Sequence, residues 1–158
     1  LVTDGPPALA LGVDPHSDDV MHRPPRSRDE SVLDRQTSLF IGWIGLALTA
    51  IGLMLFFAAL IGTSDLVGAR TLLFTFIVTA EMGVLSVIRG RSGIPLISNP
   101  WMFVAVAGSL ILQLLVLYTP LSDPFGVRGL SAVEWLAVLG ATGVFVVLAW
   151  IGGRLIRR

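Results

Sequence analysis

The chain has 158 residues, 54% of them hydrophobic, with no cysteine and a formal net charge of zero, and its mean hydropathy is +0.82. Ordinary soluble domains are less apolar than this, and without cysteine neither disulfides nor thiolate metal sites are possible. All 11 basic residues are arginine, and their placement says more than their sum.

Leu1–Val13 reads as the end of a truncated apolar segment. It has no initiator Met, no basic leader and no cleavage site, so it is not a signal peptide. The chain is therefore expected to be a fragment of a longer protein. Asp4, Gly5, Pro6 and Pro7 interrupt the segment. Such a break suits backbone that lines a cavity within a membrane, and equally a loop end leading into the next segment. Asp14–Ser38 follows as a polar arm whose centre, Arg23–Arg26, reads RPPR and should be extended. The arm is too short and too polar to bury a core of its own, so it docks on other protein or lies along the membrane surface. His16 and His22 have no metal-ligand spacing, and with Asp18, Asp19, Asp29 and Glu30 they read as solvated.

Four apolar runs come next: Leu39–Gly62, Ala69–Ile88, Trp101–Tyr118 and Trp135–Gly153. Each is about long enough to cross the hydrocarbon core as a helix. The first contains Gly42, Gly45 and Gly52, small residues of the kind that let membrane helices approach closely. Thr63–Gly68 is a short turn. The second span holds Glu81 and is closed by Arg89, Gly90 and Arg91. The third starts near Pro100, a residue suited to a helix start, and ends near Tyr118. Its Ser109 and Gln113 share a face and suit hydrogen bonding to another helix. The fourth runs from about Glu134 to Gly153 and is followed by Arg154, Arg157 and Arg158. The fold class is an all-α membrane protein with four complete transmembrane helices, preceded by the truncated helix end (residues 1–13) and a loop (residues 14–38). The arm, the Arg89–Asn99 connection and the C-terminus carry most of the arginines, while the other two connections hold only Arg70 and Arg128. By the positive-inside rule the first three face the cytosol.

Glu81 is the residue that needs an explanation. It lies in LLFTFIVTAEMGVLSVI, and an uncompensated carboxylate in a membrane interior costs about 3 kcal/mol or more. At about 100° per residue, its neighbours on the same helix are Phe74, Ile77, Val78, Val84 and Leu85, all apolar. Thr71, Thr75 and Thr79 form a separate stripe, pointing away from Glu81, and are expected to bond their own helix backbone. Compensation for Glu81 must then come from another helix, an ion or a proton. The only other acid in an apolar stretch is Asp4, and no arginine falls within the interior of a span. Two carboxylates without an internal cation suit a hard metal ion, with Thr3 and the backbone near Gly5 as further oxygen donors. A protonated Glu81 hydrogen-bonding across helices is the alternative.

At this point the residues resemble a family. LVTDGPPALALG followed by DVMHRPPR is similar to the end of the sixth membrane helix and the next cytosolic loop of calcium-type P-type ATPases, in particular the sarcoplasmic-reticulum-like subgroup. IVTAEM at Ile77–Met82 resembles that subgroup's eighth helix around a calcium-ligating glutamate. The resemblance covers essentially the whole chain. It implies that residues 39–158 are the four-helix C-terminal cation-ATPase membrane domain, the seventh to tenth helices. Thr3, Asp4 and Glu81 would be ligands of a transported calcium ion, in a site shared with helices upstream of Leu1. RGRSGIPL after the second span departs from the animal pumps, which carry asparagines nearby.

The family's chemistry depends on an aspartate in a DKTG motif, phosphorylated by ATP, and no such motif occurs here. ATP and Mg would act only through upstream domains, and this chain would be part of a translocase without being a complete one. The implied partners are the upstream helices and phosphorylation domain of the same pump and the lipid bilayer, with no nucleic acid. The implied location is integral and multi-pass, with the 14–38 loop and the C-terminus cytosolic. Rival expectations are a sodium, manganese or proton pump, a secondary-transporter fragment, and a non-transporting membrane scaffold.

Overall fold

The computed structural model describes residues 5–12, 34–92 and 98–156. Its elements are α1 (Gly5–Gly12), α2 (Arg35–Thr63), α3 (Leu66–Ser92), α4 (Pro100–Tyr118), α5 (Ser122–Phe125) and α6 (Ala132–Leu155), with no strand among the described residues. Four of these, α2, α3, α4 and α6, are long and apolar enough to cross a membrane.

Local chemistry explains where each helix starts. Asp34 caps α2 by accepting the Thr37 N–H at 2.8 Å, so the helix begins ahead of the apolar run. Asp65 accepts the Gly68 N–H at 2.9 Å, so the turn between α2 and α3 is shorter than the expected Thr63–Gly68. Ser64, left-handed with φ 54°, returns its N–H to Leu60 O at the end of α2. Asn99 caps α4 through the Trp101 N–H, with Pro100 in the first position. Ser131 and Glu134 form a reciprocal capping box at the start of α6. The expected break at Gly5–Pro7 is instead the first turn of α1, where proline's missing N–H leaves no hydrogen bond unmade. Residues 1–4 and 13–33, with the RPPR arm, lie outside the described residues.

Helices α2, α3 and α6 pack on one another, and α4 packs on α1 and α3. The centre of the trio holds Ala47 and Ile51 from α2, Leu72, Phe76 and Ala80 from α3, and Val138 and Phe145 from α6. Phe76 and Phe145 meet edge to face, with centroids 6.2 Å apart. In lipid this packing gains little from the hydrophobic effect, so close approach of backbones matters more. At Gly83 a Cβ would come within 2.5 Å of Val146 Cγ2. At Gly152 a Cβ would collide with the indole of Trp43. That indole fills the notch and donates from Nε1 to Leu148 O at 2.9 Å. Of the α2 glycines expected at contacts, Gly52 faces Leu73 and Phe76, whereas Gly42 and Gly45 have open space beside them. Small residues mark a face that permits approach, and the packing of the whole bundle decides whether it is covered.

Each end of the trio is tied by an arginine. At one end Arg91 donates to Gly153 O at 2.8 Å and lies 4.0 Å over the Phe40 ring. A cation there meets the carbonyl-rich end of α6. At the other end Arg128, between α5 and α6, bonds Asp65 Oδ2 at 2.9 Å and Glu134 Oε1 at 2.6 Å. Its backbone N–H also donates to Thr71 Oγ1 at 3.1 Å. The Gly68 N–H and then the Arg128 guanidinium hold the Asp65 carboxyl below its ordinary value. The hydrogen bond to Glu134 raises Arg128 further above its already high value. Beside this network Tyr118 Oη donates to Leu130 O at 2.7 Å and accepts from Trp135 Nε1 at 2.8 Å.

Two outcomes follow for the full-length protein in micelles. Gly152→Ala should destabilise thermal unfolding by about 1–3 kcal/mol through overpacking, whereas Gly90→Ala, where a Cβ meets nothing within 4 Å, should not. Arg128→Gln should lower the melting temperature at neutral pH. Asp65, with its folded value lowered, contributes stability above about pH 4 that is lost as pH falls through the folded value. Melting curves across that acid range should show a smaller pH dependence in Arg128→Gln. It should not vanish, because the Gly68 N–H, the larger cause, remains.

Candidate intramembrane cation site

Glu81 lies near the middle of α3, whose 27 residues extend about 40 Å. Its side chain is half-buried, with Oε2 fully enclosed. One turn further, Leu85 packs against a cluster of Ala10 from α1 and Met102 and Ala105 from α4. Residues four apart share a helix face, so Glu81 is on the side of α3 that looks toward α1 and α4.

The end of α1 is anchored in the same region. Asn99 Nδ2 donates to Ala10 O at 2.9 Å while its Oδ1 caps α4. Arg89, buried at the end of α3, donates to Ser98 Oγ at 2.8 Å. Both α1 and α3 therefore run toward the same end of the bundle. Counting back from Ala10, Gly5 is about 7.5 Å deeper; counting back from Leu85, Glu81 is about 6 Å deeper. Thr3 and Asp4, the other two expected ligands, lie outside the described residues. Among the described residues no three His, Asp or Glu side chains gather in one place.

The threonine stripe of α3 does more than the expected bonding to its own backbone. Thr71 Oγ1 donates to Val67 O at 2.7 Å and accepts from Arg128 N–H. Thr75 Oγ1 accepts from Gln113 Nε2 of α4 at 3.0 Å. Thr79 Oγ1 lies 3.0 Å from Thr75 O and 2.7 Å from Thr142 Oγ1 of α6. Gln113 thus makes the interhelical bond expected of it, and Ser109 is buried on the same face. This layer is apart from Glu81: Thr79 turns toward α6, and Glu81 is about 200° further round the helix. Sequence reading missed Thr142 and Asn99 as tying residues. The placement of Asn99 just before a proline-led helix was the available signal for its capping role, but nothing in the sequence pointed to its bond with Ala10 O.

The chain can now be set beside known proteins. Residues 1–155 match the family described as cation transporting ATPase, C-terminus. The chain is 32% identical over 158 residues to calcium-transporting ATPase type 2C member 1 of Homo sapiens, covering 96% of this chain and 17% of that protein. It is 32% identical to the calcium-transporting ATPase of Bacillus subtilis (strain 168), covering 91% of this chain and 17% of the relative. It is 28% identical to the endoplasmic reticulum-type calcium-transporting ATPase 2 of Arabidopsis thaliana, covering 88% of this chain and 19% of the relative. The chain thus spans roughly a sixth to a fifth of the length of these relatives. An all-α bundle with four membrane-length helices and a match along nearly its whole length leads to one conclusion: the chain belongs to the family of cation-transporting ATPase C-termini, an integral membrane domain.

Proposed function

We propose that this chain supplies the last membrane helices of an ATP-driven calcium pump, and that Glu81, with Asp4 and Thr3, gives oxygen ligands to the ion in transit. The observation that carries the reading is the position of Glu81. Its carboxylate is at mid-helix, its Oε2 is enclosed, and it shares a face of α3 with Leu85, which packs against the cluster of α1 and α4. Carboxylate and hydroxyl oxygens are the donors a hard divalent cation prefers. The relatives named above are calcium-transporting ATPases, which favours calcium over sodium, manganese or protons as the transported ion.

In this reading the rest of the pump, upstream of Leu1, holds ATP and Mg and becomes phosphorylated. Helix movement driven by that step would alternately open the site to the two sides of the membrane. The role of Glu81 is electrostatic: ionised, it compensates the ion's charge, and the ion in turn offsets the cost of desolvating the carboxylate. The Asp14–Ser38 loop and the C-terminus are assigned to the cytosol. Supporting this, Arg91 reaches Gly153 and thereby gathers the arginine-bearing ends of α3 and α6 at one end of the bundle.

The test is calcium activation of phosphorylation from ATP in the full-length protein. Glu81→Ala should raise the calcium needed for half-maximal phosphorylation by about tenfold or more, since even losing a residue that merely supports a ligand costs that much. Unchanged calcium dependence would sink the ligand assignment. Full transport by Glu81→Gln would instead make Glu81 a packing residue in a scaffold.

A further inference from the structure

Asn99 serves two helix ends with one side chain. Its Oδ1 accepts the Trp101 N–H at 3.0 Å, at the start of α4, and its Nδ2 donates to Ala10 O at 2.9 Å, near the end of α1. Both ends need such a partner, because the first N–H groups of a helix and its last four carbonyls have none within the helix. Ala10 is the third-last residue of α1. It is buried, as is Asn99, so the bonds must come from the protein. The amide also matches the polarity of each end. Its oxygen meets the positive N-terminus of α4, and its N–H meets the negative C-terminus of α1. Only one orientation of the amide satisfies both bonds.

Apolar packing leaves the register of α1 open. Helix α1 packs on α4, and α4 in turn meets α3. The cluster joining the three is small: Ala10, Met102 and Ala105, with Leu85 of α3 against it. Apolar contacts are non-directional, and the lipid that could replace them is equally apolar. A short helix held by them alone can slide along its axis or turn about it. The adjoining groove of about 390 Å³, lined by Pro6, Leu9, Trp101 and Val104 among others, leaves room for that displacement. The bond from Asn99 to a single carbonyl of α1 removes both freedoms.

We propose that Asn99 is a positioning residue for the intramembrane cation site. It fixes α1 in register with α4 and, through the contact with Leu85, with α3, so that Asp4, the residue before α1, and Glu81 act on the same ion. Asn99 works through α1 and does not ligate the ion. The role rests on the assignment of Asp4 and Glu81 as ligands.

Calcium activation of phosphorylation from ATP in the full-length protein separates this role from a purely structural one. Asn99→Asp keeps the cap on α4, where Asn and Asp serve about equally, and removes the donor to Ala10 O. It should raise the calcium needed for half-maximal phosphorylation about fivefold, the scale of residues that act on a site without touching it. The maximal level of phosphorylation should stay near that of wild type. Asn99→Ser, a neutral cap too short to reach Ala10, should do the same, and it serves if Asn99→Asp fails to fold. Once Glu81→Ala has removed the ligand, register matters little, so adding Asn99→Asp should shift calcium by less than about twofold more. Shifts that multiply in full would overturn the proposal. So would a lowered maximum with unchanged half-maximal calcium in both Asn99 variants, which is what a helix cap alone predicts. If Glu81→Ala shifts calcium and neither Asn99 variant does, the positioning role falls and the ligand assignment stands. If Glu81→Ala leaves calcium unchanged, the ligand assignment falls and takes this role with it.

Discussion

The rotation of α3 about its own axis is the constraint on which the rest of the bundle depends. Within hydrocarbon, a polar side chain must find its partners in the protein. Thr71, Thr75 and Thr79 are all buried, and each finds one outside α3: the Arg128 backbone, Gln113 on α4 and Thr142 on α6. Bonds of this kind contribute only about 0.6 kcal/mol each on average, so they set orientation more than strength. Phe76, wholly buried against Phe145, and the close approach at Gly83 act in the same sense. Once Thr75 is committed to Gln113 and Thr79 to Thr142, Glu81 falls on the side of α3 whose Leu85 packs against the cluster of α1 and α4. A candidate ligand is thus aimed by residues that never touch it.

The two ends of the bundle are tied by arginines through different contacts. At the Arg128 end, one cation is shared between two carboxylates from different helical turns, and the pairing joins the starts of α3 and α6. At the Arg91 end, the cation is held by a helix-terminal carbonyl and an aromatic face. These two contacts join the end of α3 to the end of α6 and the start of α2.

Much of this organisation was legible in the residues. The third apolar run begins and ends where α4 does, because Asn99-Pro100 is an unambiguous start. The other three helices start ahead of the apolar runs read from hydropathy, because Asp34, Asp65 and Ser131 bond the first N–H groups of the helices that follow them. The S-x-x-E pattern at Ser131–Glu134 is a helix-start signature that hydropathy alone passes over. The glycine pattern misled in part. Gly42, Gly45 and Gly52 were expected at contacts, yet only Gly52 touches a neighbouring helix, while Gly83 and Gly152, each accommodating a bulky partner, stood out less. Glycine spacing reports the shape of one helix surface and carries no information about the surface opposite.

The sequence by itself determined the number of membrane helices, the apolar character of the residues neighbouring Glu81 on its own helix face, and the family. These follow from local quantities: hydropathy over a span, the helical period, and a few distinctive residue strings. Only the tertiary structure decided which faces meet. It brought Trp43 to Gly152, Arg91 to Gly153, Gln113 to Thr75 and Ala10 to Asn99, and through them it set which side of α3 carries Glu81. The physical reason is that lipid is as apolar as the side chains facing it. Helix pairing in a membrane is therefore chosen by fit and by a few polar contacts between residues far apart in the chain.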